Sequence, residues 1–217
     1  METHTIPSQL CRISLLLFAL IVSNGAVADE AGDPKDALVI AKTVSKQMMS
    51  ALSDSGAASD MEDLRKIVDK HLVPHIDFRN SSSLVLAQHW KTADESQRIE
   101  FINQFRAFLV RFYTEALGGY VKTREIPKNL ISFDDDVEVK SAKQVFVTSH
   151  VKQPDGGTVP VVYRMLWNQS WQVIDVSLSG ISMVKTYRGN FVSTVDSKGL
   201  DELISQLKKR NQELAQP

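Results

Sequence analysis

Along residues 171–191, WQVIDVSLSGISMVKTYRGNF, the spacing of apolar positions changes once, at a glycine. Before it Ile174, Val176 and Leu178 alternate at period two, and after Gly180 the residues Val184, Tyr187 and Phe191 recur three or four apart. That pattern predicts a strand handing its apolar face to a helix. Ser182 stands where its hydroxyl can accept a backbone N–H of the helix's first turn. Upstream, residues 144–152 alternate Val145, Val147, Ser149 and Val151 against Phe146, Thr148 and His150, the mark of a half-buried antiparallel strand. The turn residues Pro154-Asp155-Gly156-Gly157 lead into a strand over 159–167, with Val161, Tyr163 and Met165 on one face. Asn168-Gln169-Ser170 turns back into the Trp171 strand, so three strands make a meander. Pro160 suits an edge or a bulge, and a fourth strand over 131–139 is interrupted by Asp134-Asp135-Asp136.

The first half reads as helices. Asp33-Pro34 starts one, because Asp33 can cap it and Pro34 gives up an N–H that has no partner at the first position. Its stripe is Ile40, Val44, Met48 and Ala51, ended by the small and polar residues 53–59. A second helix from about Asp60 places Met61, Leu64, Val68 and Leu72 on one side and stops before Pro74. A third covers about 80–88, with Leu84, Val85 and Trp90 inward. Thr92 and Glu95 fit a capping box for a long helix running to Gly118-Gly119. Phe101, Ile102, Phe105, Phe108, Leu109, Phe112, Tyr113 and Leu117 cover well over half of it, where a surface helix needs one stripe. Such a helix is either sandwiched between two layers or has one face on the core and another on a cavity. A last helix after Ser197-Lys198-Gly199 buries Leu200, Leu203, Ile204 and Leu207. The fold class is α+β.

The first residues read as a targeting segment. An apolar run at 13–22, too short to span a bilayer, follows Arg12 and precedes Ala26-Val27-Ala28, which predicts cleavage after Ala28. The single cysteine, Cys11, lies ahead of that run, so the exported chain would have neither a disulfide framework nor a cysteine metal site. That composition suits a bacterial periplasm. Roughly 190 residues remain, enough for one ordinary core or two small ones. With 25 Lys and Arg against 26 Asp and Glu, and a single basic cluster at Lys208-Lys209-Arg210, the chain is not expected to bind nucleic acid.

No catalytic constellation emerges. His71 and His75 are four apart, but Pro74 breaks the helix that would align them. Asp134-Asp135-Asp136 lacks the glycine and distal glutamate of a calcium loop, and Ser81-Ser82-Ser83 lacks the glycines of a nucleophile elbow. Asp175 either acts as a base or caps the turn that follows, and no histidine is in register with it. The surplus of apolar faces remains: it is either filled core or the lining of a cone between helix and sheet whose mouth admits a ligand.

The segments HLVPHIDF (71–78), HWKTADESQRIEFINQFRAFLVRFYTEAL (89–117) and WQVIDVSLSGISMVKTYRGNF (171–191), with the closing GLDELISQLKKRN, resemble the MlaC family, also called toluene-tolerance proteins. Residues 121–141 are the least similar part. The resemblance implies an NTF2-like cone of antiparallel sheet and long helix with an added helical subdomain. One domain would span 29–217, with a helical part over about 33–90, a helix-plus-sheet part over about 92–195 and a closing helix over about 199–214. It implies a periplasmic carrier, not an enzyme, that shuttles glycerophospholipids between outer and inner membranes and so maintains outer-membrane lipid asymmetry. Bound phospholipid would be cargo, with no cofactor and no metal. The implied partners are the MCE-domain ring of an inner-membrane ABC transporter complex and an outer-membrane lipoprotein–porin complex. The alternative from another class is an NTF2-like enzyme or binding protein for a small apolar ligand.

From the faces expected to meet, the acyl-chain lining is predicted to comprise Phe105, Leu109, Phe112, Val145, Val147, Tyr163, Met165, Ile174, Val176, Val184, Tyr187 and Phe191. A slip of one residue in strand register would exchange some of them. Arg188 is the single candidate for a headgroup contact, or else forms a surface salt bridge. Gly180 and Ser197-Lys198-Gly199 bracket the Val184/Tyr187/Phe191 helix with two flexible joints, which suits a gate; a plain tight turn at Gly180 is the other reading.

Overall fold

The structure, a computed structural model, describes residues 31–54, 60–121, 127, 129–153 and 156–213. The apolar run at 13–22, the cleavage site at Ala28, and Pro154 and Asp155 of the expected turn lie outside the described residues. In chain order the elements are α1 (Pro34–Asp54), α2 (Met61–His71), a 3-10 turn at Val73–His75, α3 (Phe78–Leu86), α4 (His89–Thr92) and α5 (Glu95–Val121). There follow β1 (Ile131–Phe133), β2 (Glu138–Ser141), β3 (Gln144–Lys152), β4 (Thr158–Asn168), β5 (Ser170–Leu178), β6 (Ile181–Ser182), α6 (Met183–Lys198) and α7 (Leu200–Glu213). This is an α+β fold, with helices gathered around one antiparallel sheet.

The sheet runs β1-β3-β4-β5-β6, with β2 also paired to β3. The strand expected over 131–139 is two short ones on the same edge of β3: Ile131 pairs with Val151, Glu138 with Phe146. The aspartates fall in the gap, where the Asp134 N–H donates to the Thr148 carbonyl and its Oδ1 lies 2.9 Å from His150 Nε2. Ser179 and Gly180 both have positive φ, 48° and 82°, as a two-residue hairpin between Leu178 and Ile181 requires.

Between β4 and β5 the register shifts. Val173 pairs with Met165 but Asp175 pairs with Arg164, so Ile174 is the extra residue of a β-bulge. The alternation Ile174, Val176, Leu178 therefore breaks: Val173 and Val176, opposite Met165 and Tyr163, share the face that Ile174 was expected to occupy.

Helix starts follow side-chain caps. Asp60 accepts the Glu62 N–H, Asp77 accepts the Asn80 N–H and Ser182 accepts the Lys185 N–H. For α5 the expected box at Thr92 and Glu95 is displaced by two residues: the Asp94 N–H donates to Gln97 Oε1 at 3.1 Å and the Gln97 N–H to Asp94 Oδ1 at 2.8 Å. Thr92 instead ends α4, its hydroxyl donating to the His89 carbonyl. Nor does α5 stop at Gly118-Gly119. A Cβ on Gly118 would lie 2.7 Å from Met61 Sδ, so this glycine lets α2 pack close against α5.

Three apolar clusters follow. Val44, Met48, Val68 and Val110 join α1, α2 and α5. Phe101, Phe105, Val184, Leu203 and Leu207 belong to a second, which joins α3, α5, α6 and α7. The apolar circumference of α5 is thus used on two sides, against α2 and against α6 with α7. The third cluster joins α1 to the sheet: Ala37 and Leu38 bury Val145, Val147, Met165 and Trp171. Trp171 Nε1 donates to the Asp33 carbonyl at 2.9 Å, and a Cβ on Gly32 would lie 2.1 Å from the Trp167 ring. The helix over this face of the sheet is therefore α1, rather than the long helix.

Candidate functional site

HLVPHIDF has a structural task beside β5. Ile76 forms a parallel bridge to Val173, the Asp77 N–H donates to the Val173 carbonyl at 3.0 Å, and Asp77 then caps α3. Ser81, buried in α3, donates to the Ile174 carbonyl at 2.9 Å. These contacts hold α3 beside the bulge. On the other side of the bulge, Asp175 Oδ2 accepts the Ser182 hydroxyl at 2.5 Å and Oδ1 accepts the Val184 N–H at 3.0 Å. Asp175 is a cap and ties β5 to the first turn of α6.

The space between α5, β5 and α6 is a cavity of about 40 Å³. Of the predicted lining residues it brings together Phe105 and Leu109 from α5, Ile174 and Val176 from β5, and Val184 and Tyr187 from α6. Sequence reasoning did not assign Ile76, Ser81, Tyr113, Val173, Asp175 and Met183, which also line it. Tyr113 had a detectable signal, since it lies one turn beyond Leu109 on a helix read as apolar almost all round. Val173 had none, because the bulge that puts it opposite Met165 leaves no local mark.

The cavity is a place where ionisation is costly. Burial pushes the Tyr113 phenol well above its ordinary value, and the neighbouring Tyr187, Asp175 and Tyr163 add to the rise. Burial likewise raises Tyr187, with Arg210 opposing it, and raises Tyr163, with its hydrogen bond to Ser149 opposing.

Other predicted positions lie elsewhere. Val145, Val147 and Met165 are packed under α1, and Tyr163 borders that cluster with its ring stacked 6.5 Å from Phe133. Phe191 packs edge-on against Phe101 and Phe105 and lines a second cleft on the far side of Tyr187. Phe112 is exposed on α5. Arg188 lines neither cavity; its Nε donates to the Leu84 carbonyl at 2.8 Å, fastening α6 to α3. The two expected joints of α6 have left-handed backbones, Gly180 at φ 82° and Gly199 at φ 87°.

Among the described residues, no three His, Cys, Asp or Glu side chains converge as a metal site, and no helix is long and apolar enough to cross a membrane.

Comparison with known proteins adds three findings. Residues 42–209 match the family model described as MlaC protein. The chain is 23% identical over 204 residues to the intermembrane phospholipid transport system binding protein MlaC of Haemophilus influenzae (strain ATCC 51907 / DSM 11121 / KW20 / Rd), covering 91% of this chain and 90% of that protein. Its fold is similar, with a TM-score of 0.70 and 22% identity, to the phospholipid-binding protein from Ralstonia solanacearum solved in complex with a phospholipid; the match covers 83% of this chain and 99% of that one.

Proposed function

The chain belongs to the MlaC protein family, and on that premise we propose that it is a periplasmic carrier of glycerophospholipids, exported by a signal peptide cleaved after Ala28. The observation that carries the reading is the cavity between α5, β5 and α6, set beside the β5 bulge and lined mainly by apolar residues, Val173, Ile174 and Val176 of β5 among them. The Haemophilus relative, named as a component of intermembrane phospholipid transport, supports the class of ligand. The task is one of solvation. Each buried methylene contributes about 0.8 kcal/mol, so two chains of roughly thirty methylenes in all face a barrier on the order of 24 kcal/mol in water. The carrier supplies an apolar environment comparable to the bilayer's and needs no covalent chemistry. We assign its two membrane partners to an outer-membrane lipoprotein–porin complex and the MCE-domain ring of an inner-membrane ABC transporter, with maintenance of outer-membrane asymmetry as the outcome.

A cavity of about 40 Å³ is far below the several hundred Å³ that even a drug-sized ligand fills, so loading requires the walls to part. The gate in this account is α6, hinged at Gly180 and Gly199 and latched by Arg188 on the Leu84 carbonyl. Native mass spectrometry of the chain, exported from a bacterial host with its leader and purified without detergent, tests the function. A glycerophospholipid adduct is expected. Protein free of lipid, which stays so after incubation with phospholipid vesicles, would refute the carrier reading.

A further inference from the structure

A second cleft, of about 270 Å³, opens on the side of Tyr187 away from the central cavity, between α5, α6 and α7. Its floor is apolar: Phe108 from α5, Phe191 from α6, Leu203 and Leu207 from α7. The Tyr187 ring, packed edge-on at 5.9 Å from Phe105 and 5.3 Å from Phe108, is the partition between the two spaces. At one end stands Arg210, its guanidinium 5.4 Å from the centre of the Phe108 ring. Among the described residues Arg210 has no carboxylate partner, whereas its neighbour Lys209 pairs with Glu213 and Arg111 pairs with Glu115.

We infer that this cleft is a binding site for a single-chain anionic amphiphile, a fatty acid or a lysophospholipid, with its chain on the Phe108, Phe191 and Leu207 floor and its anionic head on Arg210. The volume argues for one chain. At about 270 Å³ the cleft suits one medium-length chain better than two. The head must be anionic because an arginine with no counter-ion, set at the rim of an apolar floor, favours a carboxylate or phosphate over a hydroxyl or an ammonium. The exposed Asn190 lines the same cleft and its amide can donate to either head, while Gln206 Nε2 already donates to Glu202 Oε1 at 2.8 Å. Because Tyr187 separates the two spaces, this site does not depend on the carrier reading of the central cavity.

The test uses the delipidated mature chain and displacement of a fluorescent fatty acid, 11-(dansylamino)undecanoic acid, by dodecanoate, dodecyl phosphate and dodecanol. One or both anions are expected to bind roughly tenfold more tightly than dodecanol, a difference of one charge-assisted contact, and Arg210→Gln should erase that preference. Dodecanoate binding alone would assign a fatty acid, and dodecyl phosphate binding alone a lysophospholipid. Leu207→Trp, which fills the cleft, should abolish displacement, while Val176→Trp, which fills the central cavity, should leave it. An anion preference that persists in Arg210→Gln, displacement lost in Val176→Trp but kept in Leu207→Trp, or no binding of any of the three would overturn the proposal.

Discussion

Replacing Asp175 with alanine is expected to loosen α6 from the sheet and destabilise the whole domain. The carboxylate accepts the Ser182 hydroxyl at 2.5 Å and the Val184 N–H at 3.0 Å, and it sits at the N-terminal, positive end of the α6 dipole. A hydrogen bond to an ionised group contributes about 1.5–3 kcal/mol. Two that share one carboxylate do not add fully, so the expected loss is about 2–4 kcal/mol for Asp175→Ala. Asp175→Asn keeps an acceptor but not the charge, and should lose about 1–2 kcal/mol. Urea unfolding followed by far-UV circular dichroism reads this directly: with a slope of about 2 kcal/mol per molar, the alanine midpoint should fall by about 1–2 M. Ser182→Ala tests the linkage, because its hydroxyl serves both Asp175 and the Lys185 N–H. The double variant should therefore show a coupling of at least about 1 kcal/mol. A midpoint shift below about 0.3 M for Asp175→Ala, or strict additivity with Ser182→Ala, would mean that Asp175 does not anchor α6 to the sheet.

Two aspartate substitutions on the sheet should separate cargo from fold. Val176→Asp places a carboxylate in the lining of the central cavity and should remove co-purifying lipid from a folded protein, whereas Val147→Asp, at a position with no solvent exposure beneath α1, should unfold it, since an unpaired buried charge costs several kcal/mol. Lipid retained by folded Val176→Asp contradicts the first, and a native circular-dichroism spectrum for Val147→Asp the second. Arg188→Ala removes the hydrogen bond from α6 to the Leu84 carbonyl, so transfer of a fluorescent phospholipid to acceptor vesicles should speed up severalfold; an unchanged rate would exclude that bond as a latch. The raised phenols of Tyr113, Tyr163 and Tyr187 set an alkaline limit. Their folded pKa values lie above the unfolded value near 10, so the unfolded chain releases protons first and stability falls as pH rises beyond about 10. Absorbance at 295 nm should show these phenols ionising together with unfolding, and their titration near pH 10 in the folded protein would contradict it.

Local physics made much of the fold legible. Asp33-Pro34, the Ser182 cap, the Gly180 turn and the four buried residues of α7 depend on neighbours within one helical turn, so a sequence displays them. What it hid depends on distant partners. The stripe of α1 announces a buried face without saying that Ala37 and Leu38 bury against β3, β4 and β5, so the pattern alone does not separate Val145, Val147 and Met165 from a cavity lining. The β5 bulge hid Val173 in the same way. Thr92 and Asp94 each head an acceptable capping box, and the choice rests on where α4 ends. The local pattern offers Arg188 a headgroup or a surface salt bridge and not the Leu84 carbonyl, because Leu84 lies 104 residues away.

On the proposed function, acyl chains lie between α5, β5 and α6. Photo-crosslinking of a phospholipid with a diazirine near its acyl terminus, followed by peptide mapping, locates them. Adducts on Phe105, Leu109, Ile174, Val176, Val184 or Tyr187 are the predicted result. Adducts confined to α1 and the Val145, Val147 and Met165 face, or to exposed Phe112, would contradict it.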